Sequence, residues 1–147
     1  MFLGQFYHNL DEKGRLTMPA RFRELLAVDD GAYLLRGFDH NLMLLTSTSF
    51  KVISERINRM SMTDPTARLL RRLIFSGTAP VEFDKAGRIL LPQYLREAAD
   101  IESEAVIVGA GDYVEIWSPK FWAAQTDQLN DVKLTADRFA ALDLASG

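Results

Sequence analysis

Two carboxylate and arginine pairs offer the most chemistry in this chain: Asp11 with Arg15, and Asp84 with Arg88. In each pair the acid precedes the base by four residues, and the residues between end in glycine: Glu12-Lys13-Gly14 and Lys85-Ala86-Gly87. Asp11 and Asp84 could be read as a catalytic carboxylate pair. Each has its own arginine, however, which favours the ionised form and suits a proton donor poorly. The alternative is that each carboxylate orients a guanidinium through a charge-assisted, bidentate contact. For a single copy, a turn-stabilising surface ion pair worth about 0–1 kcal/mol is the simplest reading. Two copies in phase, each on a glycine tip, favour a functional role.

The pairs belong to a longer repeat that must position them. DEKGRLTMPARFRELL, from Asp11, recurs as DKAGRILLPQYLREAA from Asp84, with six of sixteen positions identical. Phe6, His8 and Leu10 alternate before the first motif, and Val81 and Phe83 before the second. Leu16 and Met18, then Ile89 and Leu91, alternate after them. A period of two predicts strands. A three-residue loop ending in glycine joins hairpin strands with its last residue in the left-handed region. Each copy therefore reads as a β-hairpin turning at Gly14 or Gly87. Asp11, Arg15, Asp84 and Arg88 are out of phase with the apolar residues and should point away from the core. Pro19 and Pro92 then suit the first turn of a helix, continued by Phe22, Leu25 and Leu26 or by Leu95, Ala98 and Ala99. Strand runs follow: AYLLRGF and NLMLLT, then AVIVGAG and YVEIWS. A unit of roughly 45 residues rarely buries enough surface alone. Two copies sharing one core make a pseudo-symmetric α+β domain.

The halves are assigned to residues 5–47 and 76–119, with a helical linker at 48–75 and a helical tail at 120–147. In the linker Phe50, Ile53, Ile57 and Met60 fall at helical spacing, and Asp64-Pro65 reads as a cap opening a second helix. Its Arg68, Arg71 and Arg72 read as a solvated face or subunit contact ahead of a nucleic-acid contact. Ser118-Pro119 opens a matching helix with Phe121, Trp122 and Leu129. Leu134 to Gly147 forms a short helix, with Phe139 and Leu142, or a frayed end.

Other chemistry is scarce. His8 and His40 are the two histidines and do not recur in the repeat. There is no cysteine, no metal-ligand spacing, no nucleophile elbow and no phosphate-binding loop. GAGD at 109–112 is a turn between strands. No catalytic residue, metal or cofactor is expected, and no small-molecule substrate. No stretch approaches the ~20 apolar residues of a membrane span, and the N-terminus lacks the features of a signal peptide. The expectation is a cytoplasmic protein. The net charge of −3 is unevenly placed: residues 100–147 hold nine acids against three bases. A basic face elsewhere is compatible with that balance.

The doubled D-x-x-x-R motif, each copy followed by a proline-led helix, resembles the MraZ family of bacterial transcriptional regulators over nearly the whole chain. The resemblance implies two AbrB/SpoVT-like half-barrels forming a swapped-hairpin β-barrel. It also implies a ring-shaped homo-oligomer that binds short direct repeats of double-stranded DNA upstream of a division and cell-wall gene cluster, and so an association with the nucleoid. Its arginines on the DNA surface carry over to Arg15 and Arg88, which can make bidentate contacts to guanine edges. Asp11 and Asp84 orient them. Lys13, Lys85, Arg21, Arg23 and Arg96 are candidates for phosphate contacts, which position rather than specify. Tyr94 stands where Arg21 stands in the first copy, so the two halves are unequal. The rival readings are an antitoxin-like module and a self-assembling scaffold whose arginines bridge subunits.

Overall fold

A computed structural model describes residues 1–144. In chain order the elements are β1 (Gln5–Asn9), β2 (Arg15–Thr17), α1 (Ala20–Val28), β3 (Ala32–Arg36), β4 (Leu42–Thr46), α2 (Ser47–Asn58) and α3 (Pro65–Gly77). Then come β5 (Ala79–Val81), β6 (Arg88–Leu90), α4 (Gln93–Ala98), β7 (Glu104–Gly109), β8 (Val114–Trp117), α5 (Pro119–Leu129) and α6 (Val132–Ala140). The fold is mixed α+β. One antiparallel sheet runs β1-β7-β8-β4-β3-β5, and β2 pairs with β6 as a separate ribbon.

The expected hairpins form only at their tips. Asp11 N donates to Arg15 O at 3.0 Å and Asp84 N to Arg88 O at 2.9 Å, and Leu10 bridges Leu16. Beyond that point the strands part. β1 pairs with β7 of the second repeat, and β5 pairs with β3 of the first. The ribbon is likewise built across the repeats, with Arg15 opposite Leu90, Leu16 opposite Ile89 and Thr17 opposite Arg88. Alternation fixes which face a residue occupies and leaves the neighbouring strand open. A three-residue strand is also too short to be stable in a lone hairpin.

The core explains the exchange. Leu16, Met18, Ile89 and Leu91 sit fully buried with Phe22, Leu26, Leu95 and the inner residues of β3, β4, β7 and β8. Residues from both repeats contribute to this one cluster. The large sheet is also covered on its other face. Leu35 and Leu45 pack with Ile57 of α2 and Ile74 of α3, while Val106, Val108 and Trp117 pack with Trp122 of α5. Ala105 to Val108 are therefore consecutively buried, as a strand covered on both faces requires.

The linker forms two helices, the second capped by the Asp64 side chain with Pro65 as its first residue. Ser118 caps α5 through Phe121 N. Pro19 and Pro92 stand one place earlier than expected, as the residues preceding α1 and α4, with extended ψ of 140° and 146°. The tail helix α6 ends at Ala140, before Leu142. The last three residues of the 134–147 stretch lie outside the described residues.

Leu16 and Ile89 face each other at the centre of the ribbon and are both fully buried. Truncating either to alanine is expected to lower the unfolding free energy by about 2–5 kcal/mol. Urea unfolding of L16A and I89A measures this.

Candidate nucleic-acid interface

Each tip is organised by one carboxylate. Asp11 Oδ1 accepts from Lys13 N at 3.0 Å and Arg15 N at 2.8 Å, and its Oδ2 accepts from Arg15 Nε at 2.6 Å. Asp84 repeats the pattern: Oδ1 accepts from Ala86 N and Arg88 N, both at 2.9 Å, and Oδ2 from Arg88 Nε at 2.8 Å. A short acceptor side chain thus fixes the turn and the arginine stem together. The bonds from the arginine backbone N–H groups, followed by those from the guanidinium, hold both carboxyls below their ordinary value despite partial desolvation. Both aspartates are ionised at neutral pH, which disqualifies them as proton donors.

The guanidinium is gripped by Nε, which leaves its Nη edge for other partners. Arg15 makes no Nη hydrogen bond among the described residues. Arg88 differs, because its Nη1 also reaches Asp11 Oδ2 of the other tip at 3.3 Å. That bond links the two repeats and was not foreseeable from spacing within one motif. Arg15 and Arg88 are each about one-third exposed. Leu16 and Ile89 point inward, so Arg15, Thr17, Arg88 and Leu90 share the outward face of the ribbon.

The glycines are required twice over. Gly14 and Gly87 have φ of 82° and 76°, in the left-handed region. Each is also covered by an arginine from the other repeat. A Cβ on Gly87 would fall 2.2 Å from Arg23 Nη1, and one on Gly14 would fall 2.8 Å from Arg96 Nε. The tips are further joined by Met18 N donating to Gly87 O at 3.1 Å and Leu91 N to Gly14 O at 2.9 Å.

These contacts separate the remaining basic residues. Lys13 and Lys85 are exposed on the tips. Arg21 is exposed on α1 beside Glu24. Arg23 and Arg96 are half-buried against the glycines, and Arg96 Nε donates to Leu91 O at 2.9 Å. Tyr94, at the position of Arg21, donates its hydroxyl to Gly77 O at 3.0 Å. The helix arginines Arg68 and Arg71 bond the backbone of Met62 and Ile57, within the linker itself. His8 is half-buried on β1. His40 pairs with Asp100 and lies against Phe121, a contact that sequence spacing gave no sign of. Among the described residues no group of three or more His, Cys, Asp or Glu is placed to hold a metal ion. No helix among them is long and apolar enough to cross a membrane.

The chain matches, twice, the family model described as "MraZ protein, putative antitoxin-like", over residues 1–73 and 74–144. It is 50% identical over 129 residues to the Transcriptional regulator MraZ of Thermomicrobium roseum, covering 88% of this chain and 89% of that protein. It is 46% identical to the protein of the same name from Herpetosiphon aurantiacus over 131 residues, 89% and 90% of the two chains. That of Desulfitobacterium hafniense is 43% identical over 136 residues, 92% and 94%. The chain belongs to the MraZ family. The family model divides the chain between the two motifs, so each MraZ match contains one carboxylate-held arginine.

The lowered carboxyls make stability depend on pH in a defined direction. A depressed folded-state value stabilises fully above the ordinary aspartate value of 3.8 and is lost as pH falls through the lowered value. The urea midpoint of the wild type is expected to drop more steeply below about pH 4 than that of Asp11→Asn/Asp84→Asn. Parallel pH profiles of the two would contradict this assignment.

Proposed function

We propose that this protein is a sequence-specific DNA-binding transcriptional regulator without enzymatic activity. The observation that carries the reading is the ribbon face, where two arginines are each fixed through Nε by an ionised aspartate. An antiparallel two-stranded ribbon fits a major groove, and a guanidinium edge matches the O6 and N7 acceptors of guanine. Pre-fixing the arginine removes part of the ordering cost of binding. Relatives that cover most of the chain carry the name Transcriptional regulator, which supports the same reading.

Arg15 and Arg88 are the base-reading groups in this proposal. Lys13, Lys85 and Arg21 contact phosphates, whereas Arg23 and Arg96 act mainly by bracing the tips, with phosphate contacts at their exposed edges. The halves at 5–47 and 76–119, joined by the linker at 48–75 and followed by the tail at 120–147, close as a pseudo-two-fold swapped-hairpin β-barrel. One ribbon gives a small footprint, so several protomers arranged in a ring over tandem direct repeats multiply affinity through effective concentration. The repeats lie upstream of the protein's own division and cell-wall gene cluster, and the protein works in the cytoplasm on the nucleoid. The acidic C-terminal region faces away from DNA and suppresses nonspecific binding.

A scaffold is the second reading. It is favoured by an apolar hollow between α2 and α3, lined by Phe38, Met43, Ile57, Met60 and Leu70, and by Met62 and Leu69, exposed elsewhere in the same linker.

Fluorescence anisotropy with DNA from the protein's own upstream region, against scrambled DNA, tests the proposal. The wild type should prefer the native repeats. Each bidentate contact contributes about 1–3 kcal/mol, so Arg15→Ala/Arg88→Ala should weaken binding by about thirtyfold or more. Size-exclusion chromatography should show the variant's oligomer intact. A broken oligomer, or a variant that binds as well as wild type, favours the scaffold.

A further inference from the structure

Two of the four side chains on the ribbon's outward face take no part in the arginine pairs. Leu90 lies opposite Arg15, and Thr17 lies opposite Arg88. They occupy the same position of the repeat, two residues after the arginine. Leu90 is 54% exposed, while its neighbours Ile89 and Leu91 are completely buried. The strand alternation itself therefore places a large apolar side chain on the outward face, opposite Arg15 and two residues along the strand from Arg88. Burying it against a ligand is favourable, and the arginines beside it select a ligand with acceptors at its edge.

Resting on the DNA-binding reading, we propose that Leu90 and Thr17 are specificity-determining residues that make the ribbon's reading directional. Leu90 packs on the C5-methyl of a thymine next to the base pair contacted by Arg15. Thr17, beside Arg88, presents a hydroxyl and a smaller methyl instead. Directly opposed side chains in an antiparallel pair stand about 4.5–5.5 Å apart at Cβ. Successive base pairs rise about 3.4 Å, so each opposed pair spans neighbouring bases. Thymine is the base whose major-groove edge carries a methyl group, and apolar side chains read it. A strictly two-fold face would favour a palindrome. Here the dyad, which passes between Leu16 and Ile89, is broken by leucine at one of two related end positions and threonine at the other, and by the single cross-tip bond from Arg88 to Asp11.

The test is selection from a random duplex pool with the full chain, as wild type, Leu90→Ala and Leu90→Thr. Both substitutions are at an exposed position and leave the core intact. Each thymine of the selected site is then replaced singly by deoxyuridine, which lacks the methyl. The wild type should select a non-palindromic site, and one replacement should weaken its binding by about fourfold, the effect of one buried methyl-sized group. Leu90→Ala should be insensitive to that replacement while keeping the guanine preferences. Leu90→Thr should move the selected site towards dyad symmetry. Equal sensitivity of wild type and Leu90→Ala at every thymine, or a palindromic wild-type site, would overturn the inference and leave the arginine reading standing. A wild type that selects no sequence at all would overturn the DNA-binding reading and this inference with it.

Discussion

The candidate interface depends on one short antiparallel pairing, β2 against β6. Its three residue pairs bring together segments 73 positions apart in the chain, as Leu16 with Ile89 shows. The pairing does two things at once. It turns Leu16 and Ile89 into the shared core and turns Arg15 and Arg88 out on a single face. Neither tip could do this alone, because a three-residue strand has no independent stability. The duplication is thus a structural necessity before it is a functional one. Each repeat supplies the edge that the other lacks, and the glycine carbonyls of each tip accept from the strand of its partner.

On the proposed DNA-binding reading, a division of labour among the cations follows. In an interface built from flexible side chains, ordering would consume much of the binding energy. Here Asp11 and Asp84 fix the arginine stems with backbone and side-chain bonds, so the guanidinium edges are presented with little freedom. Arg23 and Arg96 support that geometry from behind, each lying over a left-handed glycine of the opposite repeat. The lysines on the tips have no such restraint, which suits them to phosphates, where a point charge is sufficient. The overall negative charge is no obstacle, because local potential at a site depends on the charges arranged there.

Much of this was legible in the sequence, and the limits have physical causes. Alternation around both motifs gave the strands and the outward sense of the arginines. Asp64-Pro65 and Ser118-Pro119 gave helix starts. The glycine at the end of each loop gave the turn. Strand partners were not legible: a period of two states which face a residue takes, and β1 and β5 leave their own motifs for the other repeat. The half-burial of Arg23 and Arg96 was hidden for the same reason, since it depends on which tip lies beneath each helix. The outward positions of Leu90 and Thr17 were available from the same alternation, but an apolar residue beside Ile89 and Leu91 reads first as core.

The two tips act either as one reading surface or as separate surfaces. Hydrogen–deuterium exchange of the full chain distinguishes them, with and without a duplex of DNA from the protein's own upstream region. With one shared surface, peptides covering residues 11–17 and 84–90 become protected together, at the same DNA concentration, while the outer face of α2 and α3 changes little. Protection of one tip without the other, or protection centred on Arg68, Arg71 and Arg72, would contradict it.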